Sequence, residues 1–376
     1  MIIYKKILLQ IHHFIFFAIF LILGIWSISV TNFLQFFIII FFINFFYITK
    51  IYFQFNPNKL KIFTLIFLAI FSFLSGAYRT SKINLENQKT LELIQEKQIN
   101  GIGLIQEIDF NEENNLKTIK LKIIRGYIDK QYEEKLCDKI LCLYCNKFSN
   151  LKIGQIIKFK DFKISSSKNA EFNLYCAKEK ILATIFTDKN KLKVIGYDYS
   201  FESYLFNLRD RVFRKLKSKI NTETFSYFSS IFLGHKIKNK DYDNLKDKFN
   251  FWGISHYLAR SGLHVLIILI LLQFIFKFFP VGLIVKQILS ISLIGIYTTL
   301  TWSSISFIRS IIMFFLCQIC MFVYLQIQTL HIVTLTTIFV LLNNPLQLFF
   351  LDFQLSFALT FFLALFFDIN NKKSIA

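Results

Sequence analysis

The chain has 376 residues, is 54% hydrophobic with 48 Phe, and carries a formal net charge of +20. Its apolar residues gather in long runs at both ends, while residues 80–250 are polar and charged; this excludes an ordinary soluble single domain and points to a membrane protein with one extramembrane domain. The positive charge suits nucleic acid or anionic lipid, but taken alone it favours the plainer reading, Lys and Arg that fix membrane topology.

Three apolar stretches come first, at 7–26, 33–49 and 60–78. Each approaches the roughly 20 residues that a spanning helix needs. Lys5 and Lys6 precede the first, but no small-residue cleavage site follows it, so it reads as an uncleaved helix rather than a signal peptide. The first loop has no Lys or Arg, whereas the second holds Lys50, Lys59 and Lys61. The excess of positive charge on cytoplasmic loops then puts the N-terminus inside and residues 80–200 outside.

Residues 80–200 read as β. "INGIGLIQEIDF", "LKTIKLKIIRGYI", "KILCLYCNKF" and "GQIIKFKDFKI" are short runs rich in Ile and aromatics, with turn residues between them. Several such strands in about 120 residues suggest a small barrel or sandwich. Phe159 and Phe162 are candidates for stacking on bases, although strand aromatics more often form core.

At 201–220 the period changes. Phe201, Leu205, Leu208, Val212, Leu216 and Ile220 line one helical face, and Arg209, Arg211 and Arg214 lie among the basic residues that occupy much of the rest. This predicts a basic amphipathic helix, with those arginines contacting DNA or a membrane surface, and a second charged helix over 236–250. Five further apolar segments follow, at 252–276, 281–300, 303–325, 331–342 and 346–367. The predicted fold class is therefore an α-helical polytopic membrane protein of about eight spans, with an extramembrane all-β domain after the third. Its divisions are 1–79, 80–200, 201–250 and 251–376.

Polar groups inside the apolar segments are the candidate site. His256, Arg260 and His264 are spaced i, i+4, i+8, which puts them on one side of a helix with Ser261 and Gly262 beside them. Such groups normally face protein or water rather than lipid. Arg309 lies inside a second apolar run, with Ser303, Ser306 and Ser310 on one broad face. In "NNPLQLFFLDFQLSF", Asn344 before Pro345 predicts a helix start, and Asp352 shares a face with Ser356 while Gln354 lies opposite. Two readings stand: a polar lining of a path, or structural pairing such as Arg309 with Asp352.

No P-loop, HExxH or hydrolase motif is present, and Arg260 disfavours both a bound cation and a charged histidine beside it. No catalytic residue, metal or cofactor is therefore expected. Cys137, Cys142, Cys145 and Cys176 follow the spacing of plant-type iron–sulfur ferredoxins, but "CDKILCLYC" is strand-like and has no glycine to wrap a cluster. Outside the membrane these four are candidate disulfide cysteines, with unpaired buried thiols as the alternative.

The segment "GISHYLARSGLHV" resembles the signature of the ComEC-type competence proteins, a family of inner-membrane channels for DNA uptake. The matching residues are Gly253, His256, Ala259, Ser261, Gly262, Leu263, His264 and Val265. Leu233 and Gly234 of "FLGHK", Arg309 and Met313 of "IRSIIM", and the "NNPLQLFFLDFQLSF" block resemble further family segments, in family order. The resemblance implies an OB-like outer domain and the first part of the competence-type membrane domain, in a bacterial inner membrane. It implies single-stranded DNA, membrane lipid and other uptake machinery as partners. DNA carries a charge per phosphate, so the expected path is a wet, polar groove with weak, repeated sites. Arg260 and Ser310 depart from the family pattern, and Ala376 follows soon after "FQLSF". The spans expected beyond it would come from further copies or a separate chain; the alternatives are a remnant without transport and, less favoured, a small-molecule transporter.

Overall fold

The computed structural model describes residues 13–29, 59–94, 97–111, 116–129, 131–146, 151–164, 169–187, 191–235, 237, 240–253, 262–280, 282–302, 304–323 and 328–373. Residues 33–49, read as the second span, lie outside these, as do His256, Arg260, Ser261 and Ser303. Two compact units emerge, one of residues 1–85 with 312–376 and one of residues 86–311.

The unit of 86–311 is built on a sheet. Its strands are β1 (Gln98–Asn111), β2 (Leu116–Ile128), β3 (Gln131–Tyr132), β4 (Ile140–Asn146), β5 (Gln155–Lys163), β6 (Ile181–Phe186) and β7 (Leu192–Tyr197). The order is β6-β4-β2-β1-β5-β7, with β3 added to β2. All pairings are antiparallel except β4 with β6. The four strands expected from alternation are β1, β2, β4 and β5. Ile99, Ile105, Ile119, Leu121, Leu143 and Ile157 alternate inward and form the buried core.

Three expectations for this region need correction. The helix that begins at Lys59 does not stop near residue 79; α2 (Lys59–Ile94) runs unbroken for 36 residues, and the sheet starts only at Gln98. Nothing between 79 and 94 breaks it, since that stretch contains neither Gly nor Pro. The domain is not all-β either, because α3 (Ala170–Lys178) sits between β5 and β6 with Asn169 as its N-cap. Phe159 and Phe162 are not base stackers: both are fully buried and stack on each other, centroids 5.1 Å apart.

Helices follow the sheet: α4 (Phe201–Lys217), α5 (Thr222–Phe228), a π-helical turn (Ser229–Leu233), α6 (Lys240–Phe251), α7 (Gly262–Lys277) and α8 (Leu283–Leu300). Within the apolar segment expected from Trp252, the described helix is Gly262–Lys277, and Trp252 and Gly253 form a turn in which Gly253 has φ +66°. A left-handed residue ends α6 there instead of extending it.

The other unit holds α1 (His13–Ser29), the first part of α2, α10 (Thr329–Asn343), a short 3-10 helix (Pro345–Phe349) and α11 (Leu351–Lys373). Asn344 caps the 3-10 helix, its Oδ1 accepting from Leu346 N at 3.2 Å. Helix α10 is largely buried, and Leu330 and Val333 pack with Ala364 of α11. Its threonines donate to carbonyls one turn back: Thr334 to Leu330, Thr336 to Ile332 and Thr337 to Val333. In apolar surroundings this satisfies each hydroxyl within its own helix.

Two described helices are long and apolar enough to cross a membrane: α8, and α9 (Ile305–Phe322), which runs across the division between the units. Little of either is buried within the chain, the reverse of a soluble core helix, and α8 exposes Leu283, Ile284, Ile288 and Ile296. Shorter apolar helices occupy 17–28, 264–277, 329–343 and 351–367. Of the eight spans read from sequence, two are seen at full length among the described residues.

Candidate functional site

The unit of 86–311 brings distant polar residues together at two places. One joins two sequence motifs. At the start of α7, Gly262 lies directly against α9. A Cβ on Gly262 would overlap the Ser310 hydroxyl and stand 3.5 Å from Arg309 Nη2. Only glycine allows this approach, which seats the arginine against the first turn of α7. Ser310 Oγ donates to Ser306 O at 3.0 Å. His264 is buried, edge-on to the Phe232 ring at 6.1 Å, rather than facing open space. Of the residues expected to line one polar path, the structure thus joins Gly262 with Arg309 and places His264 two residues further along α7, on the other side of that helix. Asp352, Gln354 and Ser356 lie on α11 in the other unit: the first two are exposed, Ser356 is half-buried, and Gln354 donates to Leu348 O at 2.9 Å.

The second place went unseen in the sequence. Glu107 and Asp109, two apart on β1, share one face of the sheet. Lys120 of β2 is a register partner of Glu107 and donates to it at 2.7 Å. From α4, Arg209 reaches the same carboxylate at 3.7 Å and lies over the Trp302 ring at 4.3 Å. Trp302, between α8 and α9, donates its indole N–H to Glu107. His235 meets Asp109 at 2.8 Å and packs against Trp302 with centroids 4.3 Å apart.

Local chain geometry aims His235. The π turn widens the end of α5, and Gly234 follows at φ +74°, a conformation that favours glycine. Trp302 N donates to Leu233 O at 2.9 Å, and Tyr297 Oη to Phe232 O at 2.6 Å. The Leu233–Gly234 motif is therefore clamped from the α8–α9 side. The only sequence signal for this hub is a histidine and a tryptophan beside recognised motifs.

Burial works against the Lys120 ammonium, but Glu107, helped by Asp109, holds it above its ordinary value. Burial lowers Arg209, with Glu107 and Asp109 opposing. Arg209 is accordingly a hub residue, correcting its assignment to a DNA or membrane-facing surface. Arg211 stays exposed, and Arg214 pairs with Asp210 one turn back. Helix α4 packs against β1 and α8.

Ligand atoms of Glu107, Asp109 and His235 lie within 4.8 Å of one another. Lys120 and Arg209 already balance the two carboxylates, so a divalent cation would have to displace a bonded ammonium. The cluster is an internal ion network rather than a metal centre.

The network gives a pH signature. Burial would raise the Asp109 carboxyl, but the hydrogen bond and charge of His235, then Lys120 and Arg209, hold it below 3.8. A depressed carboxyl stabilises the fold fully above its unfolded value and ceases to do so as pH falls through the folded one. Asp109→Asn is expected to lower thermal stability at neutral pH, with the difference closing below about pH 3.8. Unfolding curves across pH check this; a difference that persists in stronger acid contradicts it.

Cys137, Cys142, Cys145 and Cys176 carry reduced thiols. Cys142 and Cys145 of β4 are an odd number of residues apart and point to opposite faces, so they cannot clamp one metal. Cys137 donates to Ile124 O at 3.3 Å, and burial raises the thiols of Cys142 and Cys176.

Comparison with known proteins bears on the helical part. Residues 239–374 match the family model described as Competence protein. This segment is similar to the competence-protein family. It begins just before α6, runs almost to the end of α11, and contains the Gly262–Arg309 contact. No curated protein and no solved structure matches the chain. The competence domain links the chain to DNA uptake and to a membrane.

Proposed function

We propose that this chain is a membrane component of a channel that passes single-stranded DNA across a bacterial inner membrane during transformation. The observation that carries this reading is the packing of Gly262 against Arg309 and Ser310 inside the competence domain. It puts a guanidinium at the junction of two apolar helices, where a phosphate passing through would need a weak, replaceable counter-charge. On this reading Arg309 is the anion contact, and His264 holds the wall behind it. His256, Arg260 and Ser261 extend the lining, and Asp352, Gln354 and Ser356 serve elsewhere along the same path.

The sheet domain is proposed to receive the strand outside, with the N-terminus cytoplasmic. Strands β1, β2, β4, β5 and β6 pair in the manner of a partly open OB barrel, the fifth parallel to the third. Tyr144 and the exposed Phe186 stack with centroids 5.2 Å apart on adjacent β4 and β6, a better platform for a base than the buried Phe159 and Phe162. Membrane lipid, further copies of the chain and other uptake machinery are the remaining partners. No catalytic role is assigned.

The test is complementation of a strain lacking the chain. Arg309→Gln is expected to lower transformation by an order of magnitude or more while the protein still inserts, with Arg309→Lys partly restoring it. Native transformation by Arg309→Gln, measured at equal insertion, would remove the lining role.

A further inference from the structure

A cavity of about 300 Å³ opens between the end of α2, α3 and β6, all within residues 86–311. Its polar wall includes Asn87, Lys139 and Lys180; its apolar wall includes Leu91, Phe172 and Leu182. None of its lining residues is acidic.

The donors converge. Lys139 Nζ donates to Asn87 Oδ1 at 3.0 Å, which fixes the amide. The other end of that amide, Asn87 Nδ2, is buried and has no hydrogen-bond acceptor among the described residues. A buried donor left unpaired destabilises the fold, so an acceptor is called for. Burial lowers the Lys139 ammonium; Glu86 opposes this and Lys180 adds to it, so the two amines lie in each other's field.

Lys180 supplies an independent observation. It follows the C-cap of α3 with φ +56°, and its carbonyl accepts from Ile140 N at 2.9 Å. Glycine is the usual residue at such a position, because a Cβ crowds the following carbonyl there. A strained lysine at the rim of a cavity with another lysine and an orphan donor is arranged for an anion.

We propose that this cavity binds a small phosphate monoester bearing a flat apolar group, of the size of a mononucleotide. Lys139, Lys180 and the Asn87 amide take the phosphate through charge-assisted hydrogen bonds, and Phe172 with Leu91 and Leu182 takes the attached group. The volume is at the lower end for small-molecule sites, too small for a polymer. The site does not depend on passage of DNA by this chain.

The test uses the full chain in detergent, with ligand-observed NMR of thymidine 5′-monophosphate, thymidine and inorganic phosphate. The monophosphate is expected to bind best and thymidine not at all. Lys180→Gly is expected to weaken binding of the monophosphate about ten-fold. Its unfolding temperature should hold or rise, because glycine adopts the left-handed conformation freely. Lost binding with retained stability separates the site from the fold. Competition by a 5′-phosphorylated oligothymidine but not its 5′-hydroxyl form would identify a strand end as one source of the phosphate. Equal competition by both forms, equal binding of thymidine, undiminished binding by Lys180→Gly, or no binding of the monophosphate would each overturn the proposal.

Discussion

Gly262→Leu is expected to abolish transformation while the chain still inserts into the membrane. A leucine there must displace Ser310, whose Cβ stands 3.4 Å from where the new Cβ would be, and must lift Arg309 away from α7. Overpacking of this kind costs about 1–3 kcal/mol and forces the helices apart. Alanine gives a finer test. Its methyl meets only the Ser310 hydroxyl at overlap distance, and alanine is favoured over glycine by about 1 kcal/mol in a helix interior. Gly262→Ala alone should therefore be impaired, and Gly262→Ala with Ser310→Ala should recover most of the loss. Transformation frequency measured across this double-mutant cycle reads the contact directly. Additive effects would show that the two residues do not touch.

Glu107→Ala should produce the largest loss of stability of any single change in the sheet unit. Glu107 is 8% exposed and accepts from Lys120 and Trp302, with Arg209 close by. Removing a partner from a buried ion pair costs about 3–5 kcal/mol; Lys120 is 43% exposed and can recover water, so the lower end applies. Glu107→Gln, which keeps an acceptor for Trp302, should cost about half as much, since bonds to neutral groups are roughly half as strong as charge-assisted ones. Thermal unfolding of the purified chain checks both. If Glu107→Gln is as damaging as Glu107→Ala, the charge matters and the indole bond does not.

The strands β1, β2, β4 and β5 were legible because alternation of Ile with Lys or Thr is a local property. So was the α4 helix, whose apolar face recurs every three or four residues. What α4 faces was not legible, because periodicity defines a face and is silent about the surface opposite. Arg209 and Arg211 look alike in sequence, yet one is enclosed by Glu107 and Trp302 and the other is exposed. The Glu107–Trp302 bond joins residues 195 apart, and no window of sequence contains both. Gly262 and Arg309 were both read as part of one polar groove, but nothing in the sequence said that they touch. Strands β6 and β7 and helix α3 went unread, since 170–197 is too short and mixed for a clear period.

Trp302 stands three residues before α9, and Arg309 lies little more than one turn into that helix. The indole is held from three sides, by Glu107 of the sheet, Arg209 of α4 and His235 beyond the π turn. The first turn of α9 is thus fastened at its entrance, and a load borne by β1 is delivered within a few residues to the arginine against Gly262. The sheet domain and the guanidinium in the apolar region are in this sense one mechanical part, with the tryptophan as its rivet.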